Sequence, residues 1–510
     1  MKKNKSKLSN ERLFNNIRSL IISNNHAESE KLLNNYLKDN KFDGNAWSLR
    51  SLQLLTLGNG TLAFDAANIA IKISPNIIEA YTFRGSALML LYRYEEALLD
   101  YDEVVKVEPS SNAYYNKGNA LYKLGKFNDS ILSLEMALSN SPANTNAITL
   151  LGVVKQALGQ PNEALKYFNN ALNIDSNAAD AHYNRGILYL KYENFKYGWE
   201  DYAWRLKWNV TIRVGQSNSV NKIFPEWQGQ QCSKPILVTP EQGLGDQIFY
   251  AGFLTDLQAN IPGSTVCIDQ RLITLLSRSF PNLFFLSPDQ FNLINPANYN
   301  YSYQLHLGSL GKFFRNDFND FVNVKPGYLV AESNQISFIR EKLDSTSKKK
   351  LVCGLSWRSK NQEFGISKSI SIKELLPILS HPNIQFVDLQ YDDTSSERNL
   401  LESDHNIYIE KYQNIDNFND IDDLAALISA CDLVVTVSNT TAHLASALGK
   451  TTLVLLPNSH SLFWYWHVNR DTSPWYPNST LLRQVTPGDW ANVVELASKA
   501  IDAFSVQFLS

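Results

Sequence analysis

The feature that most constrains the fold is a repeat of 33–34 residues in the first 210 positions. A glycine recurs once in each of four successive units, and a bulky side chain stands four residues before it; the pairs are Tyr81 and Gly85, Tyr114 and Gly118, Ile148 and Gly152, and His182 and Gly186. Small residues let two helix axes approach closely, and the bulky ones fill the gap between units. The pattern predicts a stack of helical hairpins.

These units resemble tetratricopeptide repeats, whose period is about 34 residues. Proline closes several of them, and small residues recur at a second position, occupied by Ala63, Ala97, Ser130 and Ala164. Five units can be placed, at 44–77, 78–110, 111–144, 145–178 and 179–208, and residues 9–42 fit a degenerate capping repeat. We therefore expect a repeat superhelix over residues 1–210. Its concave surface should hold an acceptor protein or peptide.

The last unit departs from the pattern because it is rich in aromatic residues and lacks a closing proline. These residues are Phe195, Trp199, Tyr202, Trp204 and Trp208. A terminal repeat that is buried against a following domain would need such a surface, and this is the favoured interpretation. Stacking on a carbohydrate is the alternative.

Charge and cysteine content exclude several classes of function. The net charge of −3 and the pI near 6.3 give no basic footprint for nucleic acid or an anionic membrane. The four cysteines are scattered without a CxxC pair, so we expect a reduced compartment and no metal site. The N-terminus lacks the apolar core of a signal peptide, and no run of 18 apolar residues predicts a membrane span. A cytoplasmic location is the expectation.

A glycine-rich turn opens the region after the repeats. The stretch ILVTPEQGLGDQIFY begins with the apolar run Ile236–Val238, continues through Gln242, Gly243, Gly245 and Asp246, and becomes amphipathic from Gln247. Strand, glycine turn and helix start together present backbone N–H groups to a ligand. The sequence predicts an α/β lobe over residues 211–335, after a polar loop at 211–221.

A second α/β lobe is predicted over residues 348–510, after a charged linker at 341–350. Its first strand, Leu351–Trp357, runs directly into Arg358 and Lys360, two cations that suit a phosphate or diphosphate. A solvated loop would look similar.

The strongest signal in this lobe is the strand Leu433–Val437, followed by the helix-capping run Ser438, Asn439, Thr440 and Thr441 and by His443. A helix N-terminus of this kind favours an anion, although an ordinary capped helix remains an alternative. The aromatic segment from Trp464 to Pro477 either lines a sugar or base pocket or packs the end of the domain.

Five pieces of the C-terminal half, in order, resemble the heptosyltransferase-like glycosyltransferases of the GT-B fold. They are EQGLGDQIFY, GLSWRS, KSISI, DLVVTVSNTTAHLASALGK and SPWYP, within about 236–484. More specifically, the chain looks like the bacterial proteins that join tetratricopeptide repeats to such a domain, and the layout is also similar to that of the O-linked N-acetylglucosamine transferases. The fold class this implies is α plus α/β, a repeat solenoid followed by a two-lobed GT-B-like domain.

The resemblance implies inverting transfer of a hexosyl, N-acetylhexosaminyl or heptosyl group from a nucleotide-diphosphate sugar, without a metal or other cofactor. It assigns the general base to Asp246, the acceptor-side loop to Gln242, Gly243 and Gly245, and the lobe at 211–335 to the acceptor. Diphosphate binding falls to Arg358 or Lys360, and donor binding to Ser438–Thr441 and His443, on the nucleotide-sugar side at 348–510. A surface protein such as flagellin is one acceptor suggested by analogy.

Two alternatives rest on particular residues. The family often carries an acidic residue where Ser438 stands, which motivates a non-catalytic protein-binding scaffold with a degenerate transferase domain. A nicotinamide-dependent oxidoreductase rests only on Gly243-Leu244-Gly245, and the third glycine of that fingerprint would fall at Ile248. The transferase is the leading hypothesis.

Overall fold

A computed structural model describes residues 2–207, 224–292, 300–346 and 351–509. The chain divides into two compact units. The first comprises Met1–Leu188 and Asp201–Gly215, and the second Tyr189–Glu200 and Gln216–Ser510. The predicted loop at 211–221, Trp208 and the proposed boundaries at 210 and 348 lie outside the described residues.

Helical hairpins occupy the repeat region, as the period predicts. In the described part of the chain, twelve α-helices run through it: α1 Lys2–Ile22, α2 His26–Asp39, α3 Gly44–Thr56, α4 Gly60–Ile73, α5 Ile78–Leu90, α6 Tyr94–Val107, α7 Ser111–Lys123, α8 Phe127–Asn140, α9 Thr145–Ala157, α10 Pro161–Ile174, α11 Ala179–Lys191 and α12 Phe195–Tyr202. The pair α1 and α2 coincides with the predicted capping unit.

The recurring glycines lie where the two helices of a hairpin meet. A Cβ added at Gly152 would lie 2.6 Å from the Phe168 ring, and one added at Gly85 would lie 2.7 Å from the Tyr101 ring. Gly118 faces Leu134 in the same way. These three hairpins therefore each pack a large side chain of the second helix over a glycine of the first, which explains the period in packing terms.

Two arginine–aspartate pairs recur where the repeat helices pack. Arg84 donates to both carboxylate oxygens of Asp100 at 2.8 and 2.6 Å, and to Asn68 at 2.9 Å. One hundred and one positions later, Arg185 repeats the arrangement with Asp201 and Asn169. This bidentate geometry satisfies the guanidinium where the helices pack.

Two parallel sheets form the second unit. The first has the strands β1 Ile236–Thr239, β2 Thr265–Cys267, β3 Phe284–Leu286 and β4 Tyr303–His306, in the order β3-β2-β1-β4. The helices that follow its strands are α13 Leu244–Tyr250, α14 Leu254–Asn260, α15 Ile273–Ser279, α16 Pro288–Asn292 and α17 Gly311–Phe314. All its pairings are parallel, so each connection crosses over through a helix or loop. The next helix along the chain, α18 Ser333–Thr346, contacts the region of the second sheet, where Arg340 pairs with Asp432 at 2.8 Å.

The second sheet has the strands β5 Leu351–Ser356, β6 Ile384–Asp388, β7 Ile409–Glu410, β8 Leu433–Val437, β9 Thr451–Leu456 and β10 Ser479–Arg483, in the order β10-β9-β8-β5-β6-β7. Its helices are α19 Gly365–Lys368, α20 Leu376–Leu379, α21 Ser395–His405, α22 Ile421–Ala430, α23 Thr440–Ala447 and α24 Ala491–Leu509. The central strands β5 and β8 are buried along their whole length, which explains their continuous apolar runs.

The linker predicted at 341–350 is wrong over its first six residues. Helix α18 continues to Thr346, and Ile339 and Leu343, four positions apart, are both 1% exposed. The charged residues lie on the other faces of this helix. An amphipathic helix and a charged linker differ only in this spacing of apolar residues.

Segment Tyr189–Glu200, continuous with the last repeat, packs within the second unit. The Trp199 indole donates to the carbonyl of Arg315 at 2.6 Å, and its ring stands edge-on to Trp464 at 5.4 Å. Phe195 packs edge-on against Trp475. Burial, rather than carbohydrate stacking, accounts for these two aromatic residues.

Candidate functional site

The strand order gives each sheet one point at which the chain reverses its direction of travel across the sheet. In the first sheet this point lies between β1 and β4, and in the second between β5 and β8. Parallel sheets bind ligands in the crevice beyond the carboxyl ends of such strands. Asp246 follows β1, Arg358 follows β5, and Ser438 follows β8, so the residues singled out in the sequence lie at these two points.

The glycine turn after β1 is held by its own side chains. Gln242 adopts a left-handed backbone conformation, with φ 61°, and its side-chain oxygen accepts the Tyr250 hydroxyl at 3.3 Å. The Gly243 N–H donates to Asp246 Oδ2 at 3.3 Å and caps α13. This network fixes the carboxylate over the first turn of the helix.

Asp246 combines partial exposure with an unusual proton affinity. Burial among protein atoms raises the pKa of its carboxyl to about 6, against the opposing effects of the Gly243 N–H and of the positive charge on Lys368. The residue as a whole is half-buried. A carboxylate of this kind is ionised at neutral pH and can accept a proton from a bound hydroxyl.

Gly245 brings the two switch points together. A Cβ on Gly245 would lie 3.4 Å from His443 Cδ2 and 3.4 Å from Thr440 Oγ1. The loop after β1 therefore lies directly against the start of α23. The candidate base and the predicted donor-binding helix start are neighbours in the fold.

Asn439 caps α23 and links it to the end of β5. Its side-chain oxygen accepts the Ala442 N–H at 3.2 Å, and its amide donates to Ser356 Oγ at 2.7 Å and to the Arg358 carbonyl at 3.0 Å. The N–H groups of Thr440 and Thr441 lie in the first turn of α23, where a helix provides no backbone acceptor for them. They are the groups that a helix start offers to an anion.

Ser438 and His443 are occupied by aromatic partners. Ser438 is buried, and its hydroxyl accepts the Trp466 indole N–H at 2.7 Å. His443 lies 2.9 Å from the Tyr476 hydroxyl through Nδ1 and stacks on Trp466. Burial lowers the pKa of His443 to about 3, with a smaller contribution from Lys368, so its ring is neutral. Both residues therefore anchor the start of α23 to the aromatic residues Trp466 and Tyr476.

Arg358 and Lys360, the predicted diphosphate cations, have carboxylate partners. Arg358 lies 3.0 Å from Asp392 and 3.1 Å from Glu397. Lys360 is 3.4 Å from Asp392, and its side chain is 62% exposed. Their charge is therefore largely balanced by the second sheet's own loops.

Lys368, which the sequence analysis did not single out as a ligand-binding residue, is the buried cation at this site. It is 3% exposed, and its ammonium lies 4.2 Å from the centre of the Phe463 ring. Within the described residues it makes no side-chain hydrogen bond or ion pair. Burial lowers its pKa to about 8, partly offset by the charge on Asp246. The sequence signal for it is the piece KSISI, which begins at Lys368 and carries part of the family resemblance but no role for the lysine.

The aromatic segment packs the domain. Its five large aromatic residues are buried, and most lie around Phe249 of α13: Trp464, Tyr465, Trp466, Trp475 and Tyr476. Of the two interpretations left open by the sequence, the structure favours packing. This cluster holds α13 against α23 and so fixes the distance between the two switch points.

The described part of the chain contains neither a candidate metal site nor a candidate membrane-spanning helix. No group of three or more His, Cys, Asp or Glu side chains is arranged to hold a metal ion there. Helices with the length and apolar character needed to cross a bilayer are also absent from these residues.

Two family models match the repeats. A tetratricopeptide-repeat model matches residues 84–145, and a TPR-repeat model matches residues 157–191. The N-terminal region contains tetratricopeptide repeats. Repeats of this class typically bind peptides or proteins.

Among known proteins, FlbA of Caulobacter vibrioides is 25% identical over 451 residues, covering 84% of this chain and 74% of FlbA. The repeats alone could not supply that coverage, so the likeness extends into the second unit. The name FlbA states no activity. Small glutamine-rich tetratricopeptide repeat-containing protein 2 of Saccharomyces cerevisiae is 31% identical over 125 residues, which are 23% of this chain and 36% of that protein.

Solved structures resemble a third of the chain. MamA from Desulfovibrio magneticus is 20% identical, with a TM-score of 0.30, and covers 33% of this chain and 96% of its own. YrrB, described as a TPR protein with an unusual peptide-binding site, is 21% identical, with a TM-score of 0.26, and covers 36% and 92%. At these scores the likeness adds nothing to the repeat assignment.

Proposed function

We propose that this chain is a cytoplasmic, inverting and metal-independent glycosyltransferase of GT-B type. It moves a hexosyl, N-acetylhexosaminyl or heptosyl group from a nucleotide-diphosphate sugar to a protein held by the repeats. The observation that carries the proposal is the position of Asp246. Asp246 follows the switch-point strand of one sheet, and its neighbour Gly245 lies directly against the helix start at the switch point of the other.

Asp246 is the general base of the proposed reaction. Its carboxylate accepts the proton of an acceptor hydroxyl as the oxygen attacks the anomeric carbon of the donor sugar. A new bond forms between that carbon and the acceptor oxygen. The bond to the β-phosphate oxygen breaks, and the nucleoside diphosphate leaves with the electron pair. A raised pKa of about 6 makes the carboxylate a stronger base than an ordinary aspartate.

Lys368 and the start of α23 stabilise the leaving diphosphate. The negative charge that develops on the leaving group meets the ammonium of a buried lysine, which makes no ion pair among the described residues although the charge on Asp246 attracts it. The N–H groups of Thr440 and Thr441 supply donors at the same end of the cleft. Arg358 and Lys360 serve this role less well because Asp392 and Glu397 neutralise them.

A second candidate function, the protein-binding scaffold with a degenerate transferase domain, is favoured by Ser438. Its hydroxyl is committed to Trp466 at 2.7 Å, and it stands where the resembling enzymes often carry an acid. The scaffold needs no nucleotide sugar. Calorimetry with UDP-, GDP- and ADP-sugars separates the two functions, and binding of none of them would favour the scaffold.

The Asp246→Asn variant tests the catalytic role. The amide keeps an oxygen that can accept the Gly243 N–H but loses the base, so we expect transfer to fall by about 10²–10⁴-fold while donor affinity stays the same. Mass spectrometry of proteins from a deletion strain would first identify the acceptor as one that loses a sugar mass. The strain is then complemented with the parent or the variant. Unchanged transfer by the variant would remove Asp246 as the base.

The control is Asp489→Asn, an exposed aspartate outside the cleft. It changes the net charge identically and should leave transfer at the parent level.

A further inference from the structure

The loop that follows β5, at residues 358–369, is closed at its base by two hydrogen bonds. The Ile370 N–H donates to the Trp357 carbonyl at 3.0 Å, and the Ser359 N–H donates to Ser369 Oγ at 2.9 Å. The beginning and the end of the loop are therefore held together. Compact surface loops whose ends meet in this way are frequently functional.

Ser369 is the residue that closes this loop. Its hydroxyl accepts the Ser359 N–H and donates to the Gly365 carbonyl at 2.7 Å. The Gly365 N–H in turn donates to the Asn361 carbonyl at 2.7 Å, and a Cβ on Gly365 would lie 2.4 Å from the Ser359 carbonyl oxygen. One hydroxyl thus joins the beginning, the middle and the end of the loop, with its proton and an acceptor lone pair both in use.

Lys368 immediately precedes Ser369, and its side chain is packed on an aromatic ring. The lysine is 3% exposed, with its ammonium 4.2 Å from the centre of the Phe463 ring, and Phe364 of the same loop packs edge-on against that ring. A lysine side chain ordinarily extends until its ammonium reaches water. A backbone fixed at the next residue keeps this one in its buried position.

The pKa of Lys368 reports that burial. Burial lowers it to about 8, and the charge on Asp246 opposes the shift. His443, on α23, is neutral and is influenced by the charge on Lys368. No ion pair of the lysine is present in the part of the chain that the structure describes. A loop that opened and exposed the ammonium would therefore raise its pKa towards the ordinary lysine value of about 10.4.

We propose that Ser369 is a positioning residue that holds Lys368 in place for the diphosphate of the donor. This inference rests on the proposed role of Lys368 in sugar transfer. Both printed hydrogen bonds of the Ser369 hydroxyl lie within the loop, so the residue acts through the lysine rather than on the ligand. A loop that is already closed does not have to be ordered when the donor binds, and that raises the affinity.

The first test is calorimetry of inorganic pyrophosphate with the full chain at pH 7. We expect Ser369→Ala to weaken binding about 10-fold, since both hydrogen bonds of the hydroxyl are lost. Ser369→Thr should restore parent affinity, because it keeps the hydroxyl and because the extended backbone there, with φ −90° and ψ 147°, suits a β-branched residue. The control is Ser367→Ala in the same loop, whose exposed hydroxyl donates only to the Phe364 carbonyl and which should leave affinity unchanged.

A second measurement needs no ligand. Acetylation of Lys368 by acetic anhydride, followed by mass spectrometry across a pH series, gives the pKa of this lysine in each variant. The midpoint should lie near pH 8 in the parent and in Ser369→Thr, and should move towards about 10.4 in Ser369→Ala. Gly365→Ala forces the Ser359 carbonyl away and should reproduce both changes, so it decides the question if Ser369→Ala does not fold.

The outcomes separate the two proposals. A parent chain that binds no pyrophosphate would contradict the diphosphate site itself and overturn both. Binding by the parent, with the same affinity and midpoint in Ser369→Ala, would overturn the role of Ser369 alone. A loss of affinity with an unchanged midpoint, or one that Ser369→Thr does not restore, would mean that Ser369 supports the fold without positioning the lysine, and would also overturn that role.

Discussion

The repeats pair their buried arginines with carboxylates, whereas two buried lysines of the second unit lack such partners. Other buried charges of the second unit, such as Asp388 with Lys411, are paired. In the repeats, Arg84 and Arg185 each meet a carboxylate through two short hydrogen bonds and an asparagine through a third. In the second unit, Lys368 and Lys191 are more deeply buried, yet neither has a carboxylate partner among the described residues. Burying an unpaired charge costs about several kcal/mol, so such positions need another explanation.

The difference separates structural charge from functional charge. A paired charge stabilises the packing that surrounds it, and its removal leaves the partner unsatisfied. An unpaired buried cation destabilises the free protein, and a bound anion removes that destabilisation. On this comparison we propose that the anion-binding site lies in the second unit and that the paired charges of the repeats are structural.

The largest expected effect on stability is that of Asp100→Ala in the repeats. The variant leaves Arg84 without its bidentate partner where the helices pack, so we expect the free energy of unfolding to fall by about 3 kcal/mol. Urea denaturation measures it. The control is Asp102→Ala, whose side chain is 36% exposed and pairs with Lys117, and which should cost less than about 1 kcal/mol. Equal losses would contradict the distinction between buried and exposed pairs.

The opposite sign is expected for Lys368→Met. The lysine's pKa is lowered to about 8, so its charged form opposes folding below pH 8. The variant should be as stable as the parent or more so at pH 7, and any gain should shrink as the pH rises towards 10 and the parent lysine loses its proton. Nucleotide-sugar affinity should fall about 100-fold, as calorimetry would measure. A destabilised variant with normal affinity would show that Lys368 is structural.

A smaller effect is expected for Gly152→Ala, which tests the packing that defines the repeats. Its new Cβ would lie 2.6 Å from the Phe168 ring, and we expect a loss of about 1–2 kcal/mol in the free energy of unfolding. In a Phe168→Leu background the ring is gone, so the same substitution should cost less. Additive losses in the double variant would mean that the two residues do not interact.

The repeats could be predicted because their packing is local. Gly152 and Phe168 are 16 residues apart. The same contact recurs one period earlier between Gly118 and Leu134 and two periods earlier between Gly85 and Tyr101, so the sequence records it several times. The strands and the helix start at Asn439 were also predictable, since apolar runs and capping residues act over a few positions.

The states of the site residues depend on distant partners. The sequence predicts Ser438 as an anion ligand, but in the structure its hydroxyl accepts a hydrogen bond from Trp466, 28 residues later. The sequence predicts Arg358 as a cation available to a diphosphate, but in the structure Asp392 and Glu397 pair with it. Lys368 was passed over because local sequence does not record burial. Pairing and burial are products of the tertiary fold, and a single sequence gives no direct signal of either.

The pH dependence of sugar transfer tests the central claim most directly. Asp246 must be ionised to act as base, and its pKa of about 6 makes kcat/KM rise as the pH increases through 6. Lys368 must be protonated to hold the diphosphate, and its pKa of about 8 makes kcat/KM fall as the pH increases through 8. We predict a bell with its maximum near pH 7, whose upper limb disappears in Lys368→Met. A profile that is flat from pH 5 to 9, or an upper limb that survives in the variant, would contradict the account.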